Sequence, residues 1–258
     1  MIKRLIQLDP HDFPVELHDL LNSGKVYDSS CSEDARTLFC DNGYYIKIAD
    51  KGKLEAEARL GTMFFDLGLG ARVVCYLSLD RDYLVTRSAA GEDLTHYLQD
   101  PETLCRILAK ALRRLHSQTV PDAPVSPKLL EYRDSAQADI SRGSFEEYVQ
   151  MERFPVDSKE AAWELMQANL EKLKADTLIH GDACLPNIIC HEGNFSAFID
   201  LGLAGMGDRH IDIFWAIWSL QFNLKTEQYT DCFLDQYGRE YVDMDMLKVI
   251  AAFESVST

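Results

Sequence analysis

The sequence predicts an α+β chain of two lobes, a small sheet-rich one over residues 1–87 and a mainly helical one over 88–258. Short apolar runs separated by turn residues fill the first third, the pattern of strands and hairpins. After Gly91 the apolar residues recur at helical spacing. No internal repeat, low-complexity tract or long linker interrupts the chain, so the join is a short connection near residues 87–91.

Each element has its own local cause. Ala35-Arg36-Thr37-Leu38-Phe39-Cys40 and Tyr44-Tyr45-Ile46-Lys47-Ile48 flank Asp41-Asn42-Gly43, a hairpin signal because Asn and Gly tolerate the positive φ of tight turns. A helix is expected from about Leu54 to Leu67, then strands over Arg72 to Leu77 and Tyr83 to Thr86. Pro101 to Ser117 reads as an amphipathic helix, with Pro in its first turn and Leu104, Leu108, Leu112 and Leu115 on one face. Glu160 to Leu173 is another helix. Ile211 to Leu220 is apolar nearly all round and therefore a buried helix, with Asp208 as its N-cap.

With 258 residues, 47% of them hydrophobic, the chain can bury a sizeable core in one or two domains. No apolar stretch approaches the roughly 20 residues that span a bilayer, and Met1-Ile2-Lys3-Arg4-Leu5 runs into Asp9-Pro10-His11-Asp12 without a signal-peptide core. Cysteines at 31, 40, 75, 105, 184, 190 and 232 form no CxxC pair, which suits reduced thiols in the cytoplasm rather than disulfides or zinc. A formal charge of −16 argues against nucleic acid or anionic membrane as partner. It suits a cationic small molecule, or simply solubility.

The most specific segment is His180-Gly181-Asp182-Ala183-Cys184-Leu185-Pro186-Asn187, followed by Ile199-Asp200-Leu201-Gly202. Ile188-Ile189-Cys190 and Phe195-Ser196-Ala197-Phe198-Ile199 flank the turn Glu192-Gly193-Asn194, so antiparallel pairing brings Asn187 and Asp200 to the same end of a hairpin. Pro186 keeps helix out of the loop and leaves Asp182 on irregular backbone. A catalytic Asp that accepts a hydroxyl proton, with an Asn and a second Asp on magnesium, is what phosphoryl transfer from a nucleotide requires. The bland reading, a buried hairpin with local hydrogen bonds, leaves three polar groups unexplained. His180 is expected to orient the loop, and Asp212 to tether it through backbone N–H groups. Trp215 and Trp218 read as core.

Lys47, inside an apolar strand, and Glu57, near the start of the following helix, form the pattern of a phosphate-binding lysine held by a helix carboxylate. Glu57 suits this better than Glu55, because it faces the same side as Leu60 and Phe64. Ser29-Ser30-Cys31-Ser32-Glu33 is a turn whose amides suit phosphate. Leu84 to Gly91 is the interlobe strap, which suits an adenine edge or a plain exit from a strand.

These residues resemble the bacterial aminoglycoside 3'-phosphotransferases, the kanamycin and neomycin kinases, whose fold is similar to that of eukaryotic protein kinases. The match is densest from His180 to Asp212, and weaker likeness extends over nearly the whole chain. The resemblance implies a two-lobed protein-kinase-like fold and transfer of the γ-phosphoryl of ATP or GTP, with Mg2+, to an aminoglycoside hydroxyl. It implies Asp182 as catalytic base, also facing the acceptor, and Asn187 and Asp200 as magnesium ligands. Lys47 and Glu57 would clamp phosphate, Tyr45 would stack on adenine, and Ser32, Arg87 and Ala89 would complete the nucleotide contacts. Glu146, Glu147 and Glu254 would bind acceptor amino groups.

The departures all concern the acceptor. Leu203 stands where the family usually has Arg, and Phe222 where it has a helix acid. Ser141-Arg142-Gly143-Ser144-Phe145-Glu146-Glu147 is acidic only in its second half, and Phe253 to Thr258 lacks the family's acidic-aromatic terminus. They favour, as a rival, a kinase of another hydroxyl acceptor. A nucleotide-binding pseudokinase is the rival from another class, disfavoured because Lys47, Asp182, Asn187 and Asp200 are all present.

Overall fold

The computed structural model describes residues 3–31, 34–138, 140 and 143–257. The chain divides into two compact units, residues 1–90 with 196–202 and residues 91–195 with 203–258. Compared with a single cut after residue 87, the first unit extends to residue 90 and takes in a second, later segment. The chain returns to the first unit for the seven residues around Asp200.

In the first unit, strands β1 (Arg4–Ile6), β2 (Val26–Asp28), β3 (Arg36–Cys40), β4 (Tyr44–Asp50), β5 (Val73–Ser78) and β6 (Arg81–Arg87) form an antiparallel sheet in the order β1-β2-β3-β4-β6-β5. The helices α1 (His18–Asn22) and α2 (Glu55–Asp66) complete it. The expected hairpin is β3–β4, with Thr37 opposite Lys47 and Gly43 at φ 91° in its turn. Because side chains alternate along a strand, Ile46 and Ile48 of β4 pack with Leu38, Val85 and Leu21. Ala49 faces the other way, to Leu54 and Ala58 of the α2 region. Lys47 and Tyr45 share that second face. Neither β1 nor β2 was expected, since three-residue strands carry almost no periodicity.

In the second unit, α3 (Pro101–His116) buries the four leucines that predict it and is capped by Asp100, whose carboxylate accepts from the Thr103 amide at 3.2 Å. It packs with α6 (Arg209–Leu224) and α7 (Thr230–Tyr237). Asp208 caps α6 as expected, accepting from the His210 amide at 3.0 Å. Around these lie α4 (Pro127–Ser135), α5 (Lys159–Asn169) and α8 (Met244–Glu254). The small pairings are β7 (Glu92–Asp93) with β10 (Ile188–His191), β8 (Ser144–Phe145) with β13 (Val256–Ser257), and β9 (Thr177–Ile179) with β12 (Gly205–Gly207). Strand β11 (Asn194–Phe198) follows β10 through the expected turn and carries the chain into its return segment.

Candidate active site

The loop after β9 is held from beneath. Asp212, fully buried in α6, accepts from the His180 and Gly181 amides, both at 2.8 Å, and from His116 Nε2 at 3.0 Å. This is the expected tether, with a third donor from α3 that the sequence did not disclose. The other ring nitrogen of His116 meets the Tyr237 hydroxyl at 2.8 Å. Three donors on one carboxylate make its burial tolerable, since an unpaired charge there would be far more costly. Gly181 has φ 84°, and a Cβ there would lie 2.3 Å from the Leu203 carbonyl oxygen, so no other residue fits this turn. His180 accepts from the Asp182 amide through Nδ1 at 3.2 Å and so shapes the loop locally.

Asp182 is half-buried and its carboxylate is aimed by Asn187, whose Nδ2 donates to Asp182 Oδ2 at 2.9 Å and to the Asp182 carbonyl at 3.0 Å. With Nδ2 so used, the amide oxygen of Asn187 is the end of its side chain not engaged by Asp182. Leu185 N donates to Ser219 Oγ at 3.0 Å, which pins the loop to α6 on its far side. Cys184 Sγ is raised well above the ordinary thiol range, first by burial and then by the nearby Asp182 charge, so it is an inert thiol here.

In the first unit, Lys47 Nζ lies 2.8 Å from Glu57 Oε2 and 2.6 Å from Asp200 Oδ1. Burial works to lower the lysine pKa, but the two carboxylates overcome it and raise the group, which keeps the ammonium charged. Asp82, completely buried in β6, sets the start of α2 by accepting from the Leu54 amide at 2.9 Å. That bond places Glu57 one turn later, opposite Lys47. Phe198 N donates to the Leu69 carbonyl at 2.7 Å, and the Phe198 ring meets Phe64 edge-on, which anchors the segment carrying Asp200. Asp200 has φ 59°, a conformation that non-glycine residues avoid and that recurs at functional sites. Asp200 in the first unit and Asn187 in the second each carry a hard oxygen, the kind of donor that magnesium prefers. Among the described residues no group of three or more His, Cys, Asp and Glu is placed to hold a metal ion.

The remaining nucleotide residues differ in standing. Tyr45 shares the sheet face of Lys47 and packs against Phe39 at 4.9 Å, with Lys3 Nζ 3.6 Å over the Phe39 ring. Arg87 donates its amide to the Arg72 carbonyl at 2.8 Å, so that N–H is already used within the sheet. Ala89 follows it in the strap, half-buried. Ser32 and Glu33 lie outside the described residues, while Ser30 is committed to the Thr37 amide and to Asp28.

The acceptor carboxylates are not alike. Glu147 is exposed, at the start of a single 3-10 turn, and Glu146 is half-buried with its Oε1 bound by Ser144 Oγ at 2.6 Å. Ser141 and Arg142 lie outside the described residues. Glu254, expected among the carboxylates that meet acceptor amino groups, is buried and already partnered. Its side chain is 6% exposed, Oε1 accepts from the Tyr132 hydroxyl and from Trp215 Nε1 at 2.8 Å, and Oε2 lies 3.1 Å from Lys128 Nζ. Trp215 and Trp218 are half-buried rather than core, because each spends its Nε1 on a partner, Trp218 on the Tyr148 carbonyl at 3.0 Å. Lys128 and Tyr132 were missed. Ser126-Pro127 is a helix-start signal, and the Ser126 side chain does cap α4. It would have put Lys128 in a first turn, where the helix dipole disfavours a cation and an acidic partner is needed.

Comparison with known proteins points in one direction. Residues 35–247 match the model of the phosphotransferase enzyme family. The chain is 40% identical over 255 residues, 96% of this chain and 97% of the other, to a probable aminoglycoside 3'-phosphotransferase of Lactococcus lactis subsp. lactis (strain IL1403). It is 33% identical over 178 residues to a streptomycin 3''-kinase of Streptomyces griseus, with 65% of each chain covered. The fold matches an aminoglycoside phosphotransferase from Streptomyces rimosus, solved with ADP and streptomycin, at a TM-score of 0.67 and 18% identity over 94% of this chain and 98% of that one.

Proposed function

The chain belongs to the phosphotransferase enzyme family, and from that premise we propose that it transfers the γ-phosphoryl of ATP to the 3'-hydroxyl of an aminoglycoside. The observation that carries the chemistry is the Asp182 carboxylate held by Asn187 on a loop that Asp212 fixes by two amides. The acceptor reading rests on the 40% identity, over nearly the full length, to a relative of that name.

Asp182 orients the acceptor hydroxyl and takes its proton as the oxygen attacks the γ-phosphorus. The bond from that phosphorus to the bridging oxygen breaks, and the nucleoside diphosphate leaves. The transition state is loose, so positioning and charge do most of the work. Lys47, kept charged by Glu57, meets the phosphates. The first unit thus takes the nucleotide, with Tyr45 against the base and the Ala89 backbone in place of the occupied Arg87 amide. A magnesium ion held by Asn187 and Asp200 would neutralise the phosphates. Glu146 and Glu147 meet acceptor amino groups from the second unit.

Such an enzyme works where ATP is made, in the cytoplasm, and would protect its host from the drug. Free cysteines fit that compartment, and among the described residues no helix is long and apolar enough to cross a membrane. The test is a coupled kinase assay on kanamycin, with the phosphate position assigned by NMR. Transfer to the 3'-oxygen is expected. Turnover of a neutral metabolite with no transfer to any aminoglycoside would overturn the acceptor and leave the kinase chemistry.

A further inference from the structure

One face of the sheet in the first unit carries a row of aromatic rings. Tyr27 lies opposite Phe39 and Phe39 opposite Tyr45, so β2, β3 and β4 each contribute one ring to that face. The Phe39 ring centre is 6.1 Å from that of Tyr27 and 4.9 Å from that of Tyr45. Lys47, two residues beyond Tyr45, stands on the same face about 7 Å further along β4. All three rings are half-buried rather than closed over.

An ammonium rests on this row. Lys3 Nζ lies 3.6 Å from the centre of the Phe39 ring and 5.6 Å from that of Tyr45. Lys3 is exposed, and among the described residues no carboxylate is paired with it. Its backbone is level with Lys47. Leu5 is opposite Tyr27 and Arg4 opposite Asp28, so Lys3 comes beside Ser29, whose amide donates to the Thr37 carbonyl at 2.8 Å. Thr37 in turn lies opposite Lys47. Lys3 therefore starts beside the Ser29-Ser30 turn, on the rank of the sheet that holds Lys47, and its side chain leans from there toward the rings.

Charge decides what such an ammonium can do. Lys47 faces two carboxylates, Glu57 and Asp200, so that cluster has one negative charge in excess, in a chain whose formal charge is −16. A triphosphate entering there needs positive charge that is not already spent on acids. An exposed cation–π contact is weak and easily exchanged, whereas an ammonium on phosphate makes charge-assisted hydrogen bonds.

We propose that Lys3 is a further nucleotide-binding residue. Its ammonium is held on the Phe39 and Tyr45 rings, leaves them when the base stacks on Tyr45, and meets the phosphates. The inference rests on the reading above that the first unit takes the nucleotide.

Isothermal titration of the full chain with ATP, ADP and adenosine in one magnesium buffer separates the alternatives. Lys3→Met keeps the methylenes and removes the charge. It should weaken ATP roughly five- to tenfold, the loss of one charge-assisted contact at an exposed site, and ADP less. Adenosine should bind as well as before or slightly better, since its base no longer displaces an ammonium. Lys3→Arg should restore the ATP affinity, and the deficit of Lys3→Met should shrink at high salt. Unchanged ATP affinity in Lys3→Met overturns the proposal. So does an equal loss for adenosine, which would place Lys3 at the base or in the fold. If Lys3→Met fails to fold, Lys3→Gln takes its place under the same criteria. A wild type that binds neither ATP nor adenosine would remove the nucleotide reading itself, and the inference with it.

Discussion

The two units each contain a lysine paired to a helix glutamate, and the pairs are built to opposite ends. Lys47 meets Glu57 at 2.8 Å and then a second carboxylate, Asp200, whose side chain is 54% exposed. Lys128 meets Glu254 at 3.1 Å, and the glutamate's other oxygen is taken by Tyr132 and Trp215. In both, burial works against the ammonium and the acids prevail, so both lysines are raised. The first pair has a partner that solvent reaches and an incoming phosphate or cation can exchange. The second is closed by neutral donors. Charge alone does not mark a binding site; what matters is whether a ligand can replace one of the partners.

The largest expected effect lies outside both pairs and calibrates them. Asp182→Asn should lower kcat by about 10²–10⁴, the usual worth of a general base, with ATP affinity nearly unchanged. Near wild-type kcat on any accepted substrate would remove Asp182 from the chemistry.

Asp200→Ala and Lys47→Met attack the open pair. Each should cost on the order of 10²–10³ in turnover, as for other groups that stabilise transferring charge, with a small change in Tm. Asp200→Ala should in addition lose the magnesium dependence of ATP binding, measured by titration with and without the metal. Retention of the wild-type dependence would exclude Asp200 as a ligand and leave it as a partner of Lys47 alone.

How far these residues were legible follows from the same contrast. Asp182, Asn187 and Asp200 stand close together in the sequence with a turn between them, so chemistry and spacing coincide. Lys47 and Glu57 are ten residues apart, on a strand and a helix whose periods are plain. The β3–β4 hairpin and α3 were legible for the same reason, since turn chemistry and a leucine face act locally. Lys128, Tyr132 and Glu254 lie on α4 and α8, the last two 122 positions apart. The α4 sequence, PKLLEYRDS, alternates charge and apolar residues without a clean face. Nothing local in it says that its lysine will be buried against a distant glutamate. The same holds for His116 and Asp212, separated by 96 residues.

Lys128→Met attacks the closed pair and should act on stability before activity. Removing one partner of a buried ion pair typically costs about 3–5 kcal/mol, because the survivor is left charged without compensation. In a chain of this size each kcal/mol moves Tm by about 2–4 °C. Lys128→Met with Glu254→Gln removes both charges and should recover most of the loss. A double variant as unstable as the single one would mean that Lys128 matters through its packed methylenes, as snorkelling lysines often do.

The smallest effect, and the sharpest, is the pH dependence of that loss. Glu254 is raised above the ordinary glutamate range by burial, while Lys128, Tyr132 and Trp215 pull it back. Deleting the Lys128 charge should raise it further. A carboxyl whose folded-state pKa exceeds its unfolded value, about 4.3, favours the fold while protonated and loses that contribution as pH rises through the folded value. The wild type, still holding Lys128, suffers less of this loss than Lys128→Met. The gap in Tm between the two should therefore be small near pH 4, where Glu254 is neutral in both. It should stay small until pH passes the raised folded-state pKa of Glu254 in the wild type, widen from there, and level off above the still higher pKa of the variant. Thermal unfolding at half-unit steps from pH 4 to pH 8 measures it. A gap of constant size would locate the damage in lost packing, and the closed pair would then differ from the open one by shape rather than by an uncompensated charge.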